Sequence, residues 1–261
     1  MQLDQIKSSG IGGLHQVVRG LVKRDEHHRV TAALNARVPT AIHSATLGKL
    51  GNQVFRDCNH QKQAIWIHVP KNAGTSLRSA LKFDNVGHVP IARYAAQDRQ
   101  ATERYFKFAV VRNPWDRLHS SFSYLRRFKT GDTFPDAIYA DRYLRQFDDF
   151  EAFVLALADD GEKRKLLDYT HMLPQCYWLT LPGDRAPCMD YLARFENLET
   201  AFSDLSRRFN AAVELPKLNQ GATKDYSELY TKRMRDIVAE VYACDIEAFG
   251  YEFRPTNGGS N

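Results

Sequence analysis

One stretch constrains this chain more than any other: Ile65-Trp66-Ile67-His68-Val69-Pro70-Lys71-Asn72-Ala73-Gly74-Thr75-Ser76-Leu77. A short apolar strand ends at a proline. A lysine follows, then a small flexible turn, then two hydroxyl residues that open a helix. Such a turn lets several backbone N–H groups converge on one oxyanion, and the helix N-terminus adds its partial positive charge. Lys71 supplies a full charge, and Thr75 and Ser76 add hydroxyl donors. The segment reads as an anion cradle.

A second segment narrows the ligand. Phe106-Lys107-Phe108-Ala109-Val110-Val111 is a further apolar strand, and it runs into Arg112-Asn113-Pro114-Trp115-Asp116-Arg117-Leu118-His119-Ser120-Ser121. Pro114 suits the first position of a helix, and Leu118, Phe122 and Leu125 mark its apolar face. Arg112 therefore stands at a strand's carboxyl end, where open α/β sheets gather their ligands. Ser120 lies two turns into the next helix. Two strand–turn–helix units, each with a cation and hydroxyls at that edge, imply a ligand with two separate anionic ends.

A P-loop nucleoside triphosphatase is the obvious rival. Its signature is G-x-x-x-x-G-K-[ST], with lysine after the glycine. Here Lys71 precedes Gly74, so the register differs. Phosphoryl transfer of that class also needs an acidic residue at the second strand's end to hold magnesium. This strand ends in Arg112, which repels a metal ion and attracts a second phosphate. A doubly anionic nucleotide bound without metal is favoured.

The two segments together, Pro70 to Ser76 and Val111 to Ser120, resemble those of PAPS-dependent sulfotransferases, in particular the family-2 group of Golgi glycan and bacterial enzymes. His171-Met172-Leu173-Pro174-Gln175, Arg194-Phe195-Glu196-Asn197-Leu198 and Asp245-Ile246-Glu247-Ala248-Phe249-Gly250-Tyr251 are similar too, so the likeness spans about residues 64 to 254. The resemblance implies a P-loop-NTPase-like α/β fold, a parallel sheet flanked by helices on both faces. It implies that Lys71, Asn72, Ala73, Gly74, Thr75, Ser76 and Leu77 form the 5′-phosphosulfate loop. It further implies that Arg112 and Ser120, eight positions apart, grip the 3′-phosphate, and that Lys224 touches the donor from a late loop. Asn72 stands where threonine is commoner in that family.

Sulfuryl transfer needs in-line geometry, a cation at the leaving oxygen and a base for the acceptor hydroxyl. Lys71 is the expected cation. His88, in Val86-Gly87-His88-Val89-Pro90, is the expected base, since the family places a histidine in this region. Related Golgi enzymes carry two histidines flanking the glycine, and here the first position is Val86. A structural loop histidine is the competing reading of His88. His68 is expected to pack in the core, and His119 to face away from Ser120. His171 either lines an acceptor pocket or holds a helix end. Glu196 is expected as a buried carboxylate that orders loops, and Asp116 and Arg117 as braces of the turn.

Composition sets the outer limits. The 261 residues fit one large α/β domain, or one domain plus an appendage, and a net charge of +5 reads either as an ordinary basic surface or as attraction for an anionic donor and acceptor. The run Arg126-Arg127-Phe128-Lys129 reads as a solvated helix end rather than a nucleic-acid site. No run approaches the roughly 20 apolar residues of a membrane span, and a signal-peptide core is lacking. These features point to a cytoplasmic enzyme without an integral membrane segment. Cys58, Cys176, Cys188 and Cys244 show no metal-ligand spacing, so reduced thiols and no metal are expected; a Cys176–Cys188 bridge belongs only to a secreted chain.

The expected organisation is a helical extension over residues 1–60, a sulfotransferase domain over 61–254 and a loose tail over 255–261. Ile11, Leu14, Val18, Leu21 and Val22 form one helical face, read as packing on the domain or on a second copy, with a membrane-surface helix as the sharper alternative. Strands are expected at 64–69, 106–111 and 189–195. Helices are expected near 74–83, around Ala95, at 114–129 and 144–159, after Asn197, and as one long helix from Tyr226 to Tyr242. Residues 131–139 are expected as a loop and 160–168 as exposed. The expected activity moves a sulfuryl group from PAPS to a hydroxyl, less readily an amine, of a glycan, lipid-linked glycan or small molecule, releasing PAP. A magnesium–ATP P-loop kinase and a catalytically inactive nucleotide-binding protein are the alternatives.

Overall fold

The computed structural model describes residues 53–211 and 225–253. The expected N-terminal helix, Lys224 and the tail from residue 254 lie outside the described residues. In chain order the elements are α1 (Asp57–Lys62), β1 (Ala64–Ile67), α2 (Gly74–Leu81), α3 (Ile91–Gln97), α4 (Arg99–Arg104), β2 (Phe106–Val111) and α5 (Pro114–Leu125). Then follow α6 (Pro135–Tyr139), a π-helical turn (Ala140–Leu144), α7 (Phe150–Ala156), α8 (Asp160–Leu167) and α9 (Gln175–Leu179). The chain continues through β3 (Tyr191–Arg194), α10 (Leu198–Phe209), a 3-10 turn (Tyr226–Leu229), α11 (Lys232–Val241) and α12 (Ala243–Phe249).

The three strands form one parallel sheet in the order β1-β2-β3. Trp66 stands beside Phe108, and Phe108 beside Tyr191. Alternation of side chains divides the apolar residues between two faces. Ala64, Trp66, Phe108 and Val110 meet Leu77, Leu81 and Phe202 from α2 and α10. Ile65, Ile67, Ala109 and Val111 meet Ile91, Tyr94, Trp178 and Phe249 on the other face. A third core is wholly helical and joins Trp115, Leu118 and Phe122 of α5 to Phe153, Met234, Val238 and Tyr242.

The α/β sheet with helices on both faces is as expected, and several local expectations need correction. The third strand is not buried as expected: β3 lies at one edge of the sheet, and Leu192 is 37% exposed, whereas β1 at the other edge is buried throughout. The segment 131–139 is not all loop, because Pro135 opens α6 at its first position. The helix expected over 144–159 shortens to α7, whose start is fixed by the Asp149 side chain accepting from the Ala152 N–H at 2.8 Å. The charged stretch 160–168 folds as α8, capped by Asp159, with Leu166 alone buried. The single helix expected from Tyr226 to Tyr242 is broken once, between the 3-10 turn and α11, where Thr231 starts α11 by accepting from the Met234 N–H at 3.3 Å. At Asp149, Asp159 and Thr231 a capping side chain competes with a continuous apolar period. Among the described residues no helix is long and apolar enough to cross a membrane.

Phe108 is fully buried at the centre of the sheet. Phe108→Ala should lower the unfolding free energy by about 3–5 kcal/mol in urea titration, whereas Leu192→Ala at the exposed edge should cost about 1 kcal/mol or less.

Candidate active site

The loop after β1 is tightly wound. Lys71 and Ala73 both adopt left-handed backbone, with φ of 69° and 58°. Non-glycine residues in that region carry strain, which the surroundings must hold in place. Gly74 follows, and a Cβ there would stand 1.7 Å from the His68 ring nitrogen Nε2. Only glycine lets the His68 ring lie across the start of α2. The hydroxyls of Thr75 and Ser76 make no hydrogen bond among the described residues, and Thr75 is exposed. Leu77 departs from the expectation that it serves the loop: its side chain sits in the core and its N–H donates to the Ala73 carbonyl at 3.1 Å. Asn72 is also turned inward, so its side chain is structural.

One amide joins this loop to the end of β2. Gln175 is fully buried at the first turn of α9. Its Oε1 accepts from Asn72 Nδ2 at 2.8 Å and from the Arg112 N–H at 2.9 Å. Its Nε2 donates to the Arg112 carbonyl at 2.9 Å. Asn72 Nδ2 also donates to the Val110 carbonyl at 2.7 Å. Asp245, buried in α12, anchors Gln175 in turn by accepting the N–H groups of Gln175 and Cys176, each at 2.8 Å.

Arg112 then reaches back to the first loop. Its Nη1 donates to the Lys71 carbonyl at 3.0 Å, which ties the guanidinium to the main chain of the first loop. Asp116 holds the guanidinium through Nε at 2.6 Å and Nη2 at 2.8 Å, and the group lies 4.0 Å over the Phe195 ring. Three of its five N–H donors are engaged, which leaves two for a ligand. Asp116 thus braces, as expected. Arg117 does so too, fully buried, donating to the carbonyls of Leu173 at 2.6 Å and His171 at 3.4 Å. Glu196 is exposed rather than buried, yet it orders loops: it accepts the Asn113 N–H at 2.8 Å and the Tyr251 hydroxyl at 3.0 Å. Ser120 is half-buried and makes no hydrogen bond among the described residues.

Lys71 Nζ lies 3.9 Å over the Tyr124 ring. Burial, the Arg112 charge and the Arg127 charge lower its pKa to about 8. Beside it stands a polar cluster. Asp136 accepts from Tyr124 at 2.9 Å, from the Tyr169 hydroxyl, and faces His171 Nε2 at 3.4 Å. Burial pushes the Asp136 carboxyl up, but these partners outweigh it and hold the group at about 2.

The His88 and His171 rings are 5.5 Å apart, and His88 and His68 are 4.2 Å apart. His88 Nδ1 lies 2.8 Å from the His68 carbonyl. A carbonyl only accepts, so Nδ1 carries the proton and Nε2 keeps its lone pair. That Nε2 makes no hydrogen bond among the described residues. Burial lowers His88 to about 4 and His68 to about 3, and both are neutral near pH 7. His68 stacks on Trp66 with ring centroids 4.9 Å apart, so its packing role is as expected. His119 bonds Ser123 at 3.2 Å. Tyr124, Asp136 and Tyr169 were not singled out in the sequence, and none lies in a recognisable spacing; Phe195 enters there only as part of the segment Arg194 to Leu198.

A sequence model described as the sulfotransferase family matches residues 56–252 of the chain. No characterised protein and no solved structure matches it.

Gly74→Ala forces the His68 ring from its slot, and should cost about 1–3 kcal/mol in urea unfolding; the His68→Ala, Gly74→Ala double variant should recover most of that loss. The two buried histidines also fix a pH dependence. Their folded pKa values lie below the unfolded value of about 6.5, so the unfolded chain binds more protons as pH falls from 7 toward 4, and stability drops across that window. Each should remove about 2 kcal/mol between pH 7 and 5, and His88→Asn should flatten the slope of unfolding free energy against pH.

Proposed function

The chain belongs to the sulfotransferase family, and on that premise we propose that it moves the sulfuryl group of PAPS to a hydroxyl of a glycan or small-molecule acceptor, releasing PAP. The observation that carries this reading is the Arg112 bond to the Lys71 carbonyl at 3.0 Å, which makes the two cationic loops one site for a ligand with two anionic ends. On this reading residues 61–254 are the sulfotransferase domain of P-loop-like architecture, with residues 1–60 as an extension and 255–261 as a tail.

Each residue then has a task. Lys71 neutralises the 5′-phosphate oxygen as the sulfur–oxygen bond breaks, and the main chain of residues 72–76 with the Thr75 and Ser76 hydroxyls cradles that phosphate. The free N–H groups of Arg112 and the Ser120 hydroxyl take the 3′-phosphate, and Lys224, outside the described residues, is assigned a further donor contact. His88 Nε2 accepts the acceptor's proton. The His68 carbonyl fixes its tautomer and orientation, the role a second group plays for any catalytic imidazole. The imidazolium so formed is stabilised by Asp136, whose charge raises the His88 pKa.

A magnesium-dependent kinase fits less well. Asp116, the carboxylate nearest the end of β2 in sequence, is paired with Arg112 through two hydrogen bonds. The acceptor pocket is formed on this reading by the His88, His171 and Tyr124 side, and its ring-lined walls suit a sugar or a phenol.

Immobilised PAP should retain the protein without magnesium, and Lys71→Ala or Arg112→Ala should abolish retention; equal retention of both variants would contradict the assignment. Turnover offers a second check. Lys71 acts as a cation with a pKa of about 8, so kcat/KM should fall above that pH. Lys71→Arg should carry the fall to much higher pH, at a loss of activity. With His88 held neutral down to about pH 4, no break is expected near 6.5. A descending limb unmoved by Lys71→Arg would exclude Lys71 as its source.

A further inference from the structure

Behind the site, Cys176 of α9 and Cys244 of α12 bring their sulfurs together. The Cys176 and Cys244 sulfurs and an Asp245 oxygen all lie within 4.8 Å of one another. Cys176 is buried and Cys244 is exposed, and all four cysteines of the chain are free thiols. The expected alternative partner of Cys176 was Cys188, but the Cys188 sulfur faces the Leu179 carbonyl at 3.5 Å. Asp245 is a poor addition to a metal site, because both of its oxygens already accept main-chain N–H groups. Two sulfurs alone then remain, one open to solvent and one behind it.

We propose that Cys244 and Cys176 are a peroxide-sensitive thiol pair that closes to a disulfide between α12 and α9. An exposed attacking sulfur beside a resolving thiol is the arrangement such sensors need. The two thiols differ in access, Cys244 being exposed and Cys176 buried. The facing sulfur raises Cys176, which burial raises further, and lowers Cys244 against its own burial and the Asp245 and Glu247 charges. The exposed Cys244, as thiolate, attacks one peroxide oxygen, the O–O bond breaks, and hydroxide leaves. Cys244 is now a sulfenic acid. The Cys176 sulfur then attacks the Cys244 sulfur, the S–O bond breaks, and the oxygen leaves with the Cys176 proton as water. The two sulfurs together give up two electrons, and the peroxide takes them.

The bond would not be neutral for the rest of the molecule. Cys176 follows Gln175, whose amide ties Asn72 to Arg112 at 2.8 and 2.9 Å. A disulfide holds its sulfurs at about 2.05 Å, so closure draws the first turn of α9 toward α12. Hydrogen bonds of that length tolerate only small shifts, and oxidation should loosen both anion loops at once. This last step rests on the function proposed above; the thiol chemistry does not.

The test treats the reduced full-length protein with hydrogen peroxide, blocks remaining thiols with N-ethylmaleimide and maps peptides by mass spectrometry. A Cys176–Cys244 linked peptide is expected, reversed by dithiothreitol and also formed in a Cys58→Ser, Cys188→Ser background. In Cys176→Ser, dimedone should label Cys244. If both thiols stay alkylatable, or if Cys244 passes to sulfinic acid while Cys176 stays free, the proposal is overturned. For the coupling, PAP should bind the oxidised chain several-fold more weakly than the reduced one, and equal affinities would overturn it. Failure of PAP to bind even the reduced chain strikes the proposed function and leaves the thiol pair standing.

Discussion

The site rests on one buried amide. Gln175 receives the Asn72 side chain and the Arg112 N–H on one atom and returns a hydrogen bond to the Arg112 carbonyl from the other. These partners belong to the loops after β1 and β2, and the hydrogen bonds are direct. A buried polar group left unpaired costs about 1–3 kcal/mol, so each loop holds its place largely because the other does. Asp245 extends the chain of dependence to α12 by holding the N–H groups of Gln175 and Cys176. The strained backbone at Lys71 and Ala73 is tolerable only inside such a frame.

The frame explains the electrostatics. Burial lowers the Lys71 pKa, and the Arg112 charge lowers it further. Arg112 is quieted by Asp116, whereas Lys71 meets only the Tyr124 ring face and the partly removed Asp136. Lys71 is therefore the group whose charge a bound anion would restore. Across the cluster, the histidines solve the opposite problem. Burial keeps His68 and His88 neutral, and a single backbone carbonyl decides which nitrogen of His88 is bare. The Asp136 charge acts on both groups, raising the pKa of Lys71 and of His88.

The parts legible in the sequence are those governed by local rules. The β-branched and aromatic runs at 64–67 and 106–111 became neighbouring parallel strands, and Pro114 opened α5 as its position suggested. Lys71 and Arg112 stood out because each ends a strand. Helix bounds between 131 and 168 departed from expectation because the helices are short: Pro135 opens α6, and the Asp149 and Asp159 caps that start α7 and α8 outweigh a faint apolar period. The Gln175 bridge links positions 103 residues apart to Asn72, and no spacing rule reaches that far. The meeting of Tyr124, Asp136, Tyr169 and His171 is of the same kind. The His68 ring over Gly74 was hidden for another reason: the glycine looked like a turn residue, but what it provides is room.

The central claim is that two loops joined through Gln175 clasp both phosphates of one nucleotide. Calorimetric titration with PAP, adenosine 5′-phosphate and adenosine 3′-phosphate tests it most directly. The account predicts that PAP binds at least tenfold more tightly than either mononucleotide, that Lys71→Ala brings PAP down to the affinity of the 3′-phosphate, and that Arg112→Ala brings it down to that of the 5′-phosphate. PAP bound no more tightly than adenosine 5′-phosphate would contradict it.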